Sequence, residues 1–197
     1  IARGNGRCYG DSSLSENIFS TKRLNKFISF DRLNGIIECE AGVLLSDILE
    51  VVVPQGYFLF VTPGTKFISI GGAIASDVHG KNHHAEGCFS EYVIDFSLLN
   101  ERGEIITCSR TENSEKFWAT IGGMGLTGII LSAKFKLWKV KEPVIIRRRL
   151  ETTRNNLKML QSKYYWTRNK LTPIKTSNNP LRRSCIIPTR SKVSTSL

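Results

Sequence analysis

Three glycine-rich segments recur along the first two-thirds of the chain. They are Arg3-Gly4-Asn5-Gly6-Arg7-Cys8-Tyr9-Gly10-Asp11, Pro63-Gly64-Thr65 running on through Ser69 to His84, and Ile121-Gly122-Gly123-Met124-Gly125-Leu126-Thr127-Gly128. Glycine reaches left-handed backbone shapes and lets the main chain come close to a bulky ligand, and successive free N–H groups form concave sites for phosphate oxygens. One such loop serves a plain turn more often than a ligand. Three in one chain, read together, point to a cradle for a dinucleotide.

Between them the residue pattern predicts a mixed architecture. Phe27 to Phe30 and Gly35 to Ala41 read as two strands joined by a turn at Asn34-Gly35, and Leu44 to Val53 has helical apolar spacing ending at Pro54 and Gly56. Tyr57 to Val61 reads as a further strand. Tyr92 to Leu99 and Glu104 to Cys108 flank Asn100-Glu101-Arg102-Gly103, a hairpin signal. Asn113 or Ser114 can cap a helix carrying Phe117, Trp118 and Ile121, and Thr127 to Val140 reads as a long strand. Hairpins with isolated helices give an α+β class rather than a repeating βαβ unit.

Gly123-Met124-Gly125-Leu126-Thr127-Gly128 spells G-x-G-x-x-G, the string of an NAD-binding turn. That turn must follow a strand, open a helix and meet an acidic residue about 20 residues later. Here a helix precedes and a strand follows, and Arg147 to Arg149 are basic, which argues against NAD. His79, His83 and His84 fall within six positions, and the i, i+4 pair invites a metal reading. Gly80 and the lack of a Glu beside His79 weaken it, so a flavin or phosphate contact, or a structural hydrogen bond, is preferred and no metal is expected. Cys8 has no clear activating partner and reads as passive. The five cysteines form no C-x-x-C pair, which favours a reducing, cytoplasmic setting, and no apolar run is long enough to span a membrane.

The formal net charge of +11 raises a nucleic-acid alternative. Residues 1–138 carry 13 Lys/Arg against 15 Asp/Glu, whereas residues 139–197 carry 15 against 2, so the basic excess belongs to the end of the chain. Such a run is more often a solvated tail than a specific nucleic-acid surface, and no RNA or DNA motif accompanies it. The expectation is a folded unit over 1–140 and a basic, poorly ordered tail over 141–197.

Gly71-Gly72-Ala73-Ile74-Ala75-Ser76-Asp77-Val78-His79-Gly80-Lys81-Asn82-His83-His84 and Phe117-Trp118-Ala119-Thr120-Ile121-Gly122-Gly123-Met124-Gly125-Leu126-Thr127-Gly128-Ile129-Ile130 carry a family resemblance. They resemble the FAD-binding domain of the p-cresol methylhydroxylase and vanillyl-alcohol oxidase type, in its decaprenylphosphoryl-ribose oxidase branch, over about residues 1–140. The resemblance implies an FAD-dependent oxidoreductase that oxidises an alcohol of a sugar-like substrate, small or lipid-linked, with a reductase as a candidate partner. It implies cofactor contacts from Ala2, Arg3, Gly4, Asn5, Gly6, Arg7, Cys8, Tyr9, Gly10, Asp11 and Ser12 around the diphosphate. Gly64, Ser69, Ile70, Gly71, Gly72, Ser76, Asp77, Val78 and His79 continue that site, and Ile130 touches the adenine end. Lys81 and Tyr9 are implied as substrate-side contacts. Many relatives tether FAD through a His in G-x-G-H-S; this chain has Arg7 there, so FAD is expected to be held non-covalently. The chain opens on Ile1, almost at its first motif, and nothing after Val140 matches the family's substrate domain or its later lysine. The expectation is a domain incomplete at its N-terminus and lacking the substrate domain, able to hold FAD without turning over an alcohol.

Overall fold

The computed structural model describes residues 1–140, and the reading of 141–197 as a tail lies outside the described residues. In chain order the elements are β1 (Ala2–Arg3), β2 (Phe19–Ser20), β3 (Phe27–Asp31), β4 (Ile36–Glu40), α1 (Leu45–Val52), β5 (Tyr57–Phe58) and α2 (Ile70–Ala75). They continue with α3 (His83–Glu86), β6 (Val93–Leu99), β7 (Ile105–Ser109), α4 (Ser114–Thr120), β8 (Ile129–Lys136) and β9 (Trp138–Lys139). The α+β class holds.

Five strands form one antiparallel sheet in the order β3-β4-β8-β6-β7. Strand side chains alternate between faces, and here one face is apolar. Ile37 lies opposite Phe135, and Cys39 opposite Ala133, which in turn lies opposite Phe96; all five are buried. The other face is polar: Lys134 Nζ lies 3.5 Å from Glu38 Oε2 and 3.8 Å from Asp95 Oδ2, one cation bridging two strands. The apolar face packs against the helices, with the Phe96 and Phe117 rings stacked at 5.2 Å. Such pairs add about 0.5–1.5 kcal/mol beyond the area they bury.

Local signals set several boundaries. Asp31 Oδ1 accepts from the N–H groups of Leu33 and Asn34, closing the β3–β4 turn, and the Asn34 side-chain amide on Oδ2 first, with these backbone bonds, holds the Asp31 carboxyl below its usual range. The Asp47 carboxylate accepts from Leu44 N–H at the start of α1, and Pro54 lies in a 3-10 turn (Val53–Gln55) that closes with Gly56 at φ 83°.

Other expectations change. The strand at Tyr57 shortens to Tyr57–Phe58, because among the described residues it pairs only with β9, at Lys139 and Trp138. The long strand from Thr127 divides into β8 and β9, since beyond Lys136 the chain leaves β4 and turns to β5. Asn113 is left-handed (φ 48°) and donates its amide to Thr107 O instead of capping α4. The stretch Gly71 to Ser76, taken as a glycine loop, is helical through Ala75. Two glycines cost such a helix about 1 kcal/mol each. The need is steric: a Cβ at Gly71 would lie 3.0 Å from Ala41 Cβ and 3.3 Å from its carbonyl oxygen.

Candidate functional site

Helix α2 is where the three glycine segments meet. At its start Ser69 Oγ accepts from Gly72 N–H (3.3 Å), and a Cβ on Gly4 would fall 2.2 Å from that same oxygen. Asn5 Nδ2 donates to Phe67 O at 2.9 Å, a second tie between the first and second segments. At the other end of α2, Gly122 N–H donates to Ile74 O (3.1 Å) and Met124 N–H to Ala75 O (2.8 Å). Residues up to 120 positions apart thus border one six-residue helix.

The first segment leaves β1 and returns as β2, which pairs beside it in parallel. Its path needs left-handed residues at Gly6 (φ 60°), Gly10 (φ 68°) and Asp11 (φ 50°). The backbone N–H groups of Gly4, Asn5, Gly6, Arg7 and Cys8 meet no acceptor among the described residues. Ala2, Arg3, Gly4, Asn5, Gly6 and Cys8 are half-buried, whereas Arg7, Tyr9, Gly10, Asp11 and Ser12 are exposed, Tyr9 almost completely. Nothing lies within 4 Å of where a Cβ would stand on Gly10 or Gly64, so both bare backbones face open space. A run of open donors carrying two arginines, next to bare glycine backbone, fits a ligand with a diphosphate and an extended body, as FAD has.

Past α2, Asp77 takes a left-handed turn (φ 36°) and its Oδ1 accepts from Ser90 N–H at 3.0 Å. Val78 N–H donates to Ala73 O, and His79 bridges to Cys88. Exposure then alternates: His79 and Lys81 face outward while Gly80 and Asn82 are buried. Asn82 Nδ2 donates to Phe60 O (2.9 Å), and its buried Oδ1 has no partner among the described residues. That oxygen fills the place a side chain on Gly80 would take, 2.4 Å from an ideal Cβ. The His79 and His83 rings meet edge to face at 5.5 Å, and His83 Nδ1 lies 3.1 Å from Gly80 O. Among the described residues no three His, Cys, Asp or Glu side chains are grouped to hold a metal ion. The Cys88 thiol is pushed up by burial first and by Asp77 and Glu91 second.

Of the residues singled out in the sequence, Gly4 and Asn5 of the first loop meet Ser69 and Phe67 at the start of α2. Ile70 and Ile130 are different: Ile70 is fully buried with its N–H given to Val43 O, Ile130 is 5% exposed opposite Leu98 in the sheet, and both belong to the apolar core. Sequence reasoning passed over Ser13, Thr21 and Asn82. Thr21 N–H and Oγ1 both donate to Arg3 O, fastening the base of the first loop. Asn82 alone had a legible signal, the alternation around it in His79-Gly80-Lys81-Asn82.

The FAD binding domain family matches residues 1–109. The decaprenylphosphoryl-β-D-ribose oxidase of Mycolicibacterium smegmatis is 40% identical over 140 residues, covering 70% of this chain and 30% of the relative. A D-lactate dehydrogenase of Anaerostipes hadrus is 29% identical over 133 residues, covering 65% of this chain and 28% of that protein. Among solved structures, the carbohydrate oxidase of Microdochium nivale superposes with a TM-score of 0.63 at 22% identity, over 70% of this chain and 30% of that one, a likeness of fold. The chain thus spans under a third of the length of the relatives it matches.

Proposed function

The chain belongs to the FAD binding domain family, and from that premise we propose that it holds FAD non-covalently within an oxidoreductase that oxidises an alcohol of a sugar-like substrate. The observation that carries the reading is the run of open N–H donors from Gly4 to Cys8, beside Gly64 and α2. Oriented N–H groups in a partly dry loop are a ready counterpart for diphosphate oxygens and cost no reorganisation. When bound, FAD supplies a two-electron acceptor that takes hydride from the substrate carbon. The protein's part is to bind, orient and exclude water. Ala2 to Ser12, Gly64, Ser69 to Gly72 and Ser76 to His79 hold the cofactor. Lys81 and Tyr9, both exposed, face the substrate side.

Arg7 stands where tethered relatives carry their His, and a guanidinium forms no such bond. After acid precipitation the yellow colour is therefore expected in the supernatant, and flavin left on the pellet would overturn the non-covalent reading. The relatives' names support the substrate class: a phosphoryl-ribose oxidase among the curated proteins and carbohydrate oxidases among the structures. Anaerobic mixing with sugars, sugar lactones and lipid-linked pentoses, with flavin bleaching as readout, tests it in the full-length protein. Fast, saturable bleaching by none of them would remove the sugar assignment. No helix among the described residues is long and apolar enough to cross a membrane, and Cys8, Cys39, Cys88 and Cys108 are free thiols, which supports a cytoplasmic setting.

A further inference from the structure

The first loop is wound around one of its own side chains. Arg3 leaves β1 pointing into the loop rather than out of it: its Nη1 donates to Ser13 O at 3.2 Å and to Ser13 Oγ at 3.4 Å. Its other guanidinium atoms lie under Gly6. A Cβ there would stand 2.6 Å from Nη2, 3.1 Å from Cζ and 3.4 Å from Nε. Gly6 is therefore glycine on two counts, its left-handed φ of 60° and the arginine beneath it. Arg3 is half-buried, and no carboxylate among the described residues pairs with it. A partly desolvated guanidinium with no counter-charge is costly, and it raises the positive potential of whatever encloses it. The loop it is bonded into carries the run of open N–H donors from Gly4 to Cys8.

Building on the FAD-binding reading above, we propose that Arg3 is the positioning residue of the diphosphate loop: its bonds to Ser13 tie the two ends of the loop together with the fork packed beside Gly6, and its uncompensated charge acts through the loop backbone on the diphosphate. The chemistry assigns the two arginines of this loop different work. Arg7 is exposed at the surface of the loop. Arg3 is half-buried and bonded into the loop that carries the donors, where its charge strengthens each N–H···O⁻ contact whether or not it touches the ligand. A planar fork is required, because one end of the guanidinium serves Ser13 while the rest lies flat under Gly6; a lysine carries the charge but not the fork.

The test compares the wild-type protein with Arg3→Met and Arg3→Lys, using three probes: FAD by fluorescence quenching, and ADP and adenosine by line broadening in NMR. In the wild type ADP is expected to bind more tightly than adenosine. In Arg3→Met that diphosphate increment is expected to disappear and FAD affinity to fall about tenfold or more, the size of one charge-assisted contact. Adenosine binding should stay unchanged, an outcome that mere loss of folding would not give. Arg3→Lys should restore part of the increment. Trypsin provides the structural readout: cleavage after Arg7 in the absence of ligand should be faster in Arg3→Met and intermediate in Arg3→Lys. A wild type that binds neither FAD nor ADP would sink the FAD reading itself. A wild type that binds both, with Arg3→Met binding them equally well, would overturn the role of Arg3 and leave the FAD reading standing. Equal loss for ADP and adenosine in Arg3→Met would also overturn it, since the charge would then have no special bearing on the diphosphate.

Discussion

The five-stranded sheet and the surface around α2 solve opposite problems. In the sheet, backbone groups pair across β3-β4-β8-β6-β7, apolar side chains fill one face, and Lys134 is answered by Glu38 and Asp95 on the other. Around α2 the accounts stay open: N–H groups from Gly4 to Cys8 without acceptors, Arg3 without a carboxylate, Asn82 Oδ1 without a donor, all among the described residues. Three left-handed non-glycine residues, Asp11, Asp77 and Met124, lie in the segments around α2 as well. Buried polar groups are nearly always satisfied in a finished fold; Gln55 Oε1 after α1 is the other buried side-chain atom left open among the described residues, and what sets the α2 side apart is the run of unanswered backbone donors in the partly buried first loop. The sheet is the part that stands alone; the α2 surface is held by the sheet and reserved for something else.

The largest effect that separates the two regions comes from the core. Phe117 is fully buried and stacked on Phe96, so Phe117→Ala is expected to lose about 3–5 kcal/mol in urea unfolding. A loss under about 1 kcal/mol would mean that α4 is not part of the same core as the sheet.

Gly4→Ala strikes the seam between the first two segments. Its methyl group would overlap Ser69 Oγ, which must then turn away from Gly72 N–H. Losing that helix cap costs about 1 kcal/mol, and FAD affinity is expected to fall about tenfold as the two segments part. Unchanged flavin binding, measured by fluorescence quenching, would place the cofactor elsewhere. Gly64→Ala sharpens the contrast, because its methyl group meets no protein atom within 4 Å. Stability should move by less than about 0.5 kcal/mol while FAD binding weakens severalfold. Equal affinity would show that Gly64 lines no part of the site.

The smallest effect belongs to the polar face of the sheet. Burial raises the Asp95 carboxyl above its ordinary value of 3.8, with Lys134 opposing. An acid whose folded value is raised binds its proton more readily in the folded state than in the unfolded one, so it disfavours folding above the folded value. That cost is relieved as pH falls from the folded value toward 3.8. Asp95→Asn is therefore expected to leave stability at pH 7 equal or slightly higher and to remove this acid-side relief from the urea midpoint against pH. A clear loss at pH 7 would show that the contact with Lys134 outweighs burial, with Glu38 unable to replace it.

Much of the sheet was legible because alternation and turn residues are local. The pairs β3–β4 and β6–β7 carry their own hairpin signals in Asn34-Gly35 and in Asn100 to Gly103, and the Leu45–Val52 helix follows from its apolar spacing. The glycine segments identified the chemistry, since few other uses demand so much bare backbone. Tertiary structure decided the rest. Only contact with Ala41 explains why a helix carries glycine at Gly71, and only the approach of Ser69 to Gly4 shows that two of the segments meet. Whether Arg3 points at a ligand or into its own loop depends on where Ser13 returns, ten residues along a turn whose left-handed steps no periodicity encodes. Periodicity records what a residue does to its neighbours in sequence; convergence depends on packing between residues far apart in the chain, and that free energy is defined only once the sheet has brought them together.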